Sequence, residues 1–141
     1  MSFAERVVFD TSTLISALLR PTSVPRQAFL KAIAQAELCA SPATLAELEL
    51  VLARDKFDHY LERAVRLEFF EIYRRHAHLF PVSEADEAAL QTPCRDARDN
   101  KFLALALICS ADVVISSDDD LLALNPYRRI PVILPREYLA R

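Results

Sequence analysis

Glycine is absent from all 141 residues. Phosphate-cradling loops need a backbone without Cβ that can approach phosphate closely. Dinucleotide-binding and Walker-type readings are therefore excluded on chemistry. Cysteine is scarce: Cys39, Cys94 and Cys109 show no paired spacing. No His or Cys cluster has zinc-ligand spacing, and reduced, buried thiols fit the pattern best. No apolar run approaches the ~20 residues of a membrane helix. The N-terminus lacks the basic-then-apolar pattern of a secretion signal. Repeats, linkers and low-complexity segments are also missing. Together these absences predict a single-domain cytoplasmic protein with no membrane partner.

Lysine is rare too, supplying only three of seventeen basic residues (Lys31, Lys56, Lys101). The net charge of -3 would oppose a nucleic-acid partner if it were evenly spread. It is not: six basic residues fall between Arg54 and Arg75. On charge alone this stretch reads as a solvated helix face. Read functionally, Arg54, Lys56, Arg63 and Arg66 form a phosphate-contacting flank beside an acidic centre.

What is present is organised around VVFDTSTLIS, Val7 to Ser16. The run Val7, Val8, Phe9 predicts a buried strand. Asp10 and the hydroxyls of Thr11, Ser12 and Thr13 end it abruptly before a helical pattern begins. A charge closing a buried strand is costly unless paired, and Arg6 lies at the strand's far end. Asp10 alone would read as a helix cap. The strand-then-acid arrangement recurs, however, in VVISSDDDLL, Val113 to Leu122.

Between these blocks, Ser23 caps a helix to Ala36, and Leu38 to Ala40 is a short strand. Ser41-Pro42 opens a helix through Arg54, with Glu47 off its apolar stripe of Leu45, Leu48, Val51 and Leu52. Leu61 to His76 carries a further helical pattern through Val65, Leu67, Phe69, Phe70 and Ile72. Leu79 to Val82 and Pro131 to Leu134 read as strands, and Ala85 to Leu90 as a turn of helix. Asp99 starts a helix apolar nearly all round, through Phe102, Leu103, Leu105, Leu107 and Ile108. Pro135 to Ala140 is a short terminal turn.

Short apolar strands alternating with amphipathic helices predict an α/β/α sandwich, three layers around a mostly parallel sheet. Sites in such sheets form beyond the carboxyl ends of the strands. Asp10 and Asp118 follow strands directly, Glu47 follows one by under two helical turns, and Asp99 begins the helix that feeds strand Val113 to Ile115. Four converging carboxylates repel one another. Mg2+ or Mn2+, which prefers carboxylate oxygens, is the usual resolution. The matching chemistry is metal-assisted phosphodiester hydrolysis. Hydroxyls at Thr11, Ser12 and Ser116 would hold the outer coordination waters.

The blocks VVFDTSTLISALL, PATLAELELVLARDKF, CRDARDNKFLALAL and ADVVISSDDDLLAL, in this order and spacing, resemble the PIN-domain family. The branch most alike is the VapC-like toxin components of bacterial toxin–antitoxin systems. The resemblance spans nearly the whole chain. It implies a metal-dependent endoribonuclease acting on single-stranded RNA, whose four acids match Asp10, Glu47, Asp99 and Asp118. Asp120 matches a further acidic position and Asp96 one preceding the third block's main acid, whereas Glu49 does not match. A homodimer silenced by a small antitoxin protein is also implied. Two departures are Ser12, where the family commonly has asparagine, and Ser117, where it commonly has glycine.

Three other readings compete. A haloacid-dehalogenase-like phosphatase would need an aspartate at position 12, which is serine. A receiver-like domain needs an acid ending its middle strand, but Leu38 to Ala40 ends at Ser41. A non-catalytic PIN-fold interaction module would keep the fold without the chemistry.

Overall fold

The computed structural model describes residues 4–141. Its first strand, β1 (Arg6–Phe9), is followed by helices α1 (Thr11–Leu19) and α2 (Val24–Gln35). Strand β2 (Glu37–Ala40) leads into α3 (Pro42–Leu52), and a 3-10 turn at Asp55–Phe57 precedes α4 (Arg63–His76). The edge strand β3 (His78–Leu79) and α5 (Glu84–Ala88) come next. After a second 3-10 turn, Ala97–Asp99, the chain forms α6 (Asn100–Ile108), β4 (Val113–Ile115) and α7 (Asp119–Leu122). It closes with β5 (Val132–Ile133) and α8 (Pro135–Leu139).

The five strands pair in parallel in the order β3-β2-β1-β4-β5. Alternate residues of β1 enter opposite layers. Val7 and Phe9 pack with Leu14, Phe29, Leu48, Phe70 and Tyr73, so α1 to α4 cover one face. Val8 packs with Phe102, Leu103, Leu105 and Leu121, so α6 and α7 cover the other. Burial on both faces explains the unbroken apolar run of this strand. Three layers around a parallel sheet are thus what forms.

Local signals set the helix starts. The Ser23 hydroxyl accepts from Arg26 N at 3.2 Å. Ser41 and Thr44 cap each other reciprocally ahead of α3, satisfying donors that have no partner within the helix.

Several boundaries and faces differ from expectation. β3 is His78–Leu79 rather than Leu79 to Val82, since Pro81 has no N–H with which to continue the ladder. β5 shortens to Val132–Ile133. In α4 the buried stripe is Arg66, Phe70 and Tyr73, while Val65 and Ile72 are about 40% exposed. In α6, Ile108 is exposed although residues Phe102 to Ala106 are buried. All three cysteines are free and buried.

The missing glycine has a visible consequence. Among the described residues, Ser110, Arg128 and Arg129 adopt positive φ (52°, 48° and 72°), each against a steric cost that glycine would avoid. Arg128 and Arg129 form the turn between the paired residues Tyr127 and Ile130. Ser117 is not among the positive-φ residues, so a serine fits the family's usual glycine position without strain.

Candidate active site

In a parallel sheet of order 3-2-1-4-5 the connections change direction between β1 and β4. A crevice opens there beyond the strands' carboxyl ends. Asp10 leaves β1 and Asp118 lies just past β4, so this switch point delivers two acids from the same edge. Glu47 comes from α3 and Asp99 from the turn before α6. All four line one cavity of about 430 Å3. Thr11, Ser12, Asp96, Arg54, Lys56, Phe57, Arg98 and Phe102 share its wall.

Asp10 is buried, 3% exposed. One oxygen accepts from Thr13 N at 2.9 Å, capping α1, and the other from the Ser116 hydroxyl at 2.5 Å. The cap reading of Asp10 is thus met by one oxygen, while the other is held by Ser116. Burial pushes its carboxyl above the usual range, the bonds from Ser116 and Thr13 oppose this, and the Asp118 charge adds to the rise. The Ser116 oxygen also accepts from Asp118 N at 2.9 Å, so one buried hydroxyl ties the two acids together. Asp118 caps α7, accepting from Asp120 N and Leu121 N at 2.9 and 3.1 Å.

Asp99 makes no capping bond to α6. Desolvation, then repulsion by Asp118, Asp96, Asp10 and Glu47, pushes its carboxyl up to about 6. The acids are close enough to feel one another. Asp96, in contrast, is held below the usual carboxylate range by a two-bond pairing with Arg98, at 3.1 and 2.9 Å.

Glu47 carries a cation. Its Oε1 accepts from Lys101 Nζ at 3.0 Å, and its Oε2 accepts from the Thr11 hydroxyl. The repulsion expected of four converging carboxylates is thus partly answered by a base, Lys101. Alternating charges in RDARDNK were the available signal for Lys101 and Arg98, and a search restricted to acids passes over it.

The basic flank divides. Arg54 and Lys56 line the cavity, and the Lys56 ammonium lies 5.1 Å from the centre of the Phe57 ring. Arg63 is exposed at the start of α4 and outside the cavity lining. Arg66 is fully buried and donates to the carbonyls of Leu52, Arg54 and Leu61 and to the Asp58 carboxylate. It ties the α3–α4 connection together and has no surface to offer a phosphate, so its expected RNA contact is corrected. Asp120 also stands outside the cavity lining.

No His or Cys lines the cavity, so its donors are oxygens, the set that suits a hard divalent ion. Among the described residues, no three acidic, His or Cys side chains already converge to grip one ion. Both Glu47 oxygens are engaged elsewhere.

Fold and site together define an α/β/α protein with a carboxylate-lined cleft at its strand-order switch. The family model for the PIN domain matches residues 6–120, a span that includes all four acids. The chain belongs to the PIN domain family. It is 28% identical over 144 residues to the uncharacterized protein MJ1680 of Methanocaldococcus jannaschii, covering 95% of this chain and 89% of that one. Its fold is similar to VapBC2 from Rickettsia felis bound to a DNA fragment from their promoter, with TM-score 0.60 and 14% identity over 92% and 96% of the two chains. FitAcB from Neisseria gonorrhoeae gives 0.59 and 22% over 92% and 98%. VapC20 of Mycobacterium tuberculosis, a sarcin-ricin loop cleaving toxin, gives 0.59 and 12% over 89% and 98%. No described helix is long and apolar enough to cross a membrane.

Proposed function

We propose that this PIN-domain protein is an endoribonuclease that hydrolyses phosphodiester bonds of single-stranded RNA with Mg2+ or Mn2+. The observation that carries this reading is the cavity shared by Asp10, Glu47, Asp99 and Asp118, where burial and then repulsion by the neighbouring acids raise the Asp99 carboxyl to about 6. Acids so placed destabilise the fold unless a cation answers them.

Asp10, Asp99 and Asp118 would hold the ion, with Glu47 completing the set. The ion, when bound, supplies charge to a phosphate oxygen and acidifies a water. Ser116 fixes the Asp10 carboxylate through its hydroxyl, and Thr11 does the same for Glu47. Arg54 and Lys56, on the same wall, hold the phosphates of an RNA strand. Ser12 faces the cavity as a hydrogen-bonding group for substrate or water.

Toxin–antitoxin membership belongs to this proposal, supported by the likeness to VapBC2 and FitAcB. The chain would form a homodimer and bind a small antitoxin. An apolar groove lined by Leu18, Phe29, Leu30, Val65, Phe69 and Ile72 suits such contacts.

The test is cleavage of a mixed RNA pool with and without Mn2+, using Asp118→Asn as control. Cleavage is expected only for wild type and only with metal. Activity that persists in EDTA, or an equally active Asp118→Asn, overturns the reading. Failure to cleave any RNA together with no Mn2+ uptake favours the non-catalytic module.

A further inference from the structure

Lys101 has no part in the function proposed above, yet it is the one cation paired with any of the four acids among the described residues. It stands in the first turn of α6, two residues beyond Asp99, with its side chain 16% exposed. Its Nζ donates to Glu47 Oε1 at 3.0 Å and to the Arg98 carbonyl at 2.5 Å. The Arg98 bond anchors the ammonium to the same turn that carries Asp99. Thr11 occupies the second Glu47 oxygen. Glu47 is thus closed on both sides, while Asp10, Asp99 and Asp118 have no basic partner among the described residues.

We propose that Lys101 is a latch: it holds Glu47 out of the ion's ligand set, and a divalent ion gains Glu47 only by displacing it. This deepens the metal reading above and rests on it. Ammonium and dication compete for the same oxygen. A carboxylate oxygen that accepts from an ammonium at 3.0 Å shares its lone pairs with that donor, and a dication beside the ammonium is repelled by it. In ion-free protein Lys101 is the one cation, among the described residues, that pairs directly with Glu47. In ion-bound protein that need has passed to the metal. Lys101 therefore sets the divalent-ion concentration at which the fourth acid joins the site. Being covalently fixed, it returns when the ion leaves. Lys101 is a positioning residue here, acting through Glu47.

The two events are linked, and linkage is reciprocal: what Lys101 takes from ion affinity, the ion takes from the Lys101–Glu47 pair. Two measurements follow, neither of them activity. Calorimetric titration with Mn2+ is expected to give binding at least about fivefold tighter in Lys101→Gln than in wild type, the low end of typical coupling between linked sites. Lys101→Arg keeps the charge and the donor and is expected to bind as wild type does. A merely supporting role, in which Lys101 holds Glu47 ready for the ion, predicts the opposite sign. On the wild-type protein, acetylation of the Lys101 amine by acetic anhydride, read by mass spectrometry, should quicken when Mn2+ is added. The same acetylation should stay unchanged in Asp118→Asn. That second measurement stands even where Lys101→Gln fails to fold. Equal or weaker Mn2+ binding by Lys101→Gln, or Lys101 labelling indifferent to Mn2+, overturns the latch and leaves the metal reading standing. Absence of Mn2+ uptake by wild type removes both.

Discussion

At the residue scale, charge is arranged against stability. Asp99 has a carboxyl raised to about 6 from an ordinary value of 3.8. A folded-state pKa above the unfolded one means that the native state binds more protons between those values. Stability therefore rises as pH falls through about 6, and the penalty is fully present above that pH. Burial shifts Asp10 in the same direction. In EDTA, Asp99→Asn should be more stable than wild type at pH 7, and its advantage should shrink towards pH 4. Urea melts across that range would show it, and parallel curves for the two proteins would count against repulsion at Asp99. Asp118 separates charge from capping, because its side chain also holds the start of α7. Ion-free Asp118→Asn should gain about 0.5 to 2 kcal/mol over wild type, the usual scale of stability traded for function. Asp118→Ala should then fall below Asp118→Asn by about 1 kcal/mol, the worth of an N-cap. Thermal melts of the three proteins in EDTA decide between a relieved repulsion and a lost cap.

At the element scale, the α3–α4 connection depends on one arginine. The Arg66 guanidinium serves three carbonyls from Leu52, Arg54 and Leu61 and pairs with Asp58. Arg66→Met should cost about 3 kcal/mol or more, since each buried carbonyl left unpaired costs about 1 to 3 kcal/mol. Denaturant unfolding measures this directly. A loss under 1 kcal/mol would mean that water replaces the guanidinium. The same pinning carries Arg54 and Lys56 to the cavity wall, because the two turns between the helices hang from these bonds. A stripe of Arg66, Phe70 and Tyr73 also leaves Val65 and Ile72 facing outward, on the groove that suits a protein partner.

At the scale of the whole molecule, the parallel order around β1 and β4 concentrates acids at one edge of the sheet and sets Arg54, Lys56 and Arg98 around them. RNA bound there should show a salt dependence of about -0.7 in log K against log salt for each phosphate contact. Arg54→Ala and Lys56→Ala are each expected to flatten the slope by about that amount and to weaken different RNA sequences alike. Arg63→Ala, at an exposed site away from the cavity, should leave the slope unchanged. Filter binding over a salt series measures all three. An unchanged slope for Arg54→Ala and Lys56→Ala would return this flank to ordinary solvated surface.

The sequence by itself determined the layered parallel architecture, because short unbroken apolar runs alternate with period-3.6 apolar patterns along the chain and the absence of glycine removes the competing phosphate-loop folds. It also named Asp10, Glu47, Asp99 and Asp118, since an acid closing a buried strand is anomalous and the four blocks repeat a family's spacing. Only the tertiary structure decided what those acids face. Lys101 lies 54 positions from Glu47, and Ser116 lies 106 from Asp10; no local pattern encodes contacts across that distance. Arg66 is the clearest case. An arginine among arginines on an amphipathic helix looks solvated, but the carbonyls of Leu52, Arg54 and Leu61 draw its guanidinium inward. Whether a charge meets water or a buried acceptor is fixed by packing, where desolvation outweighs composition.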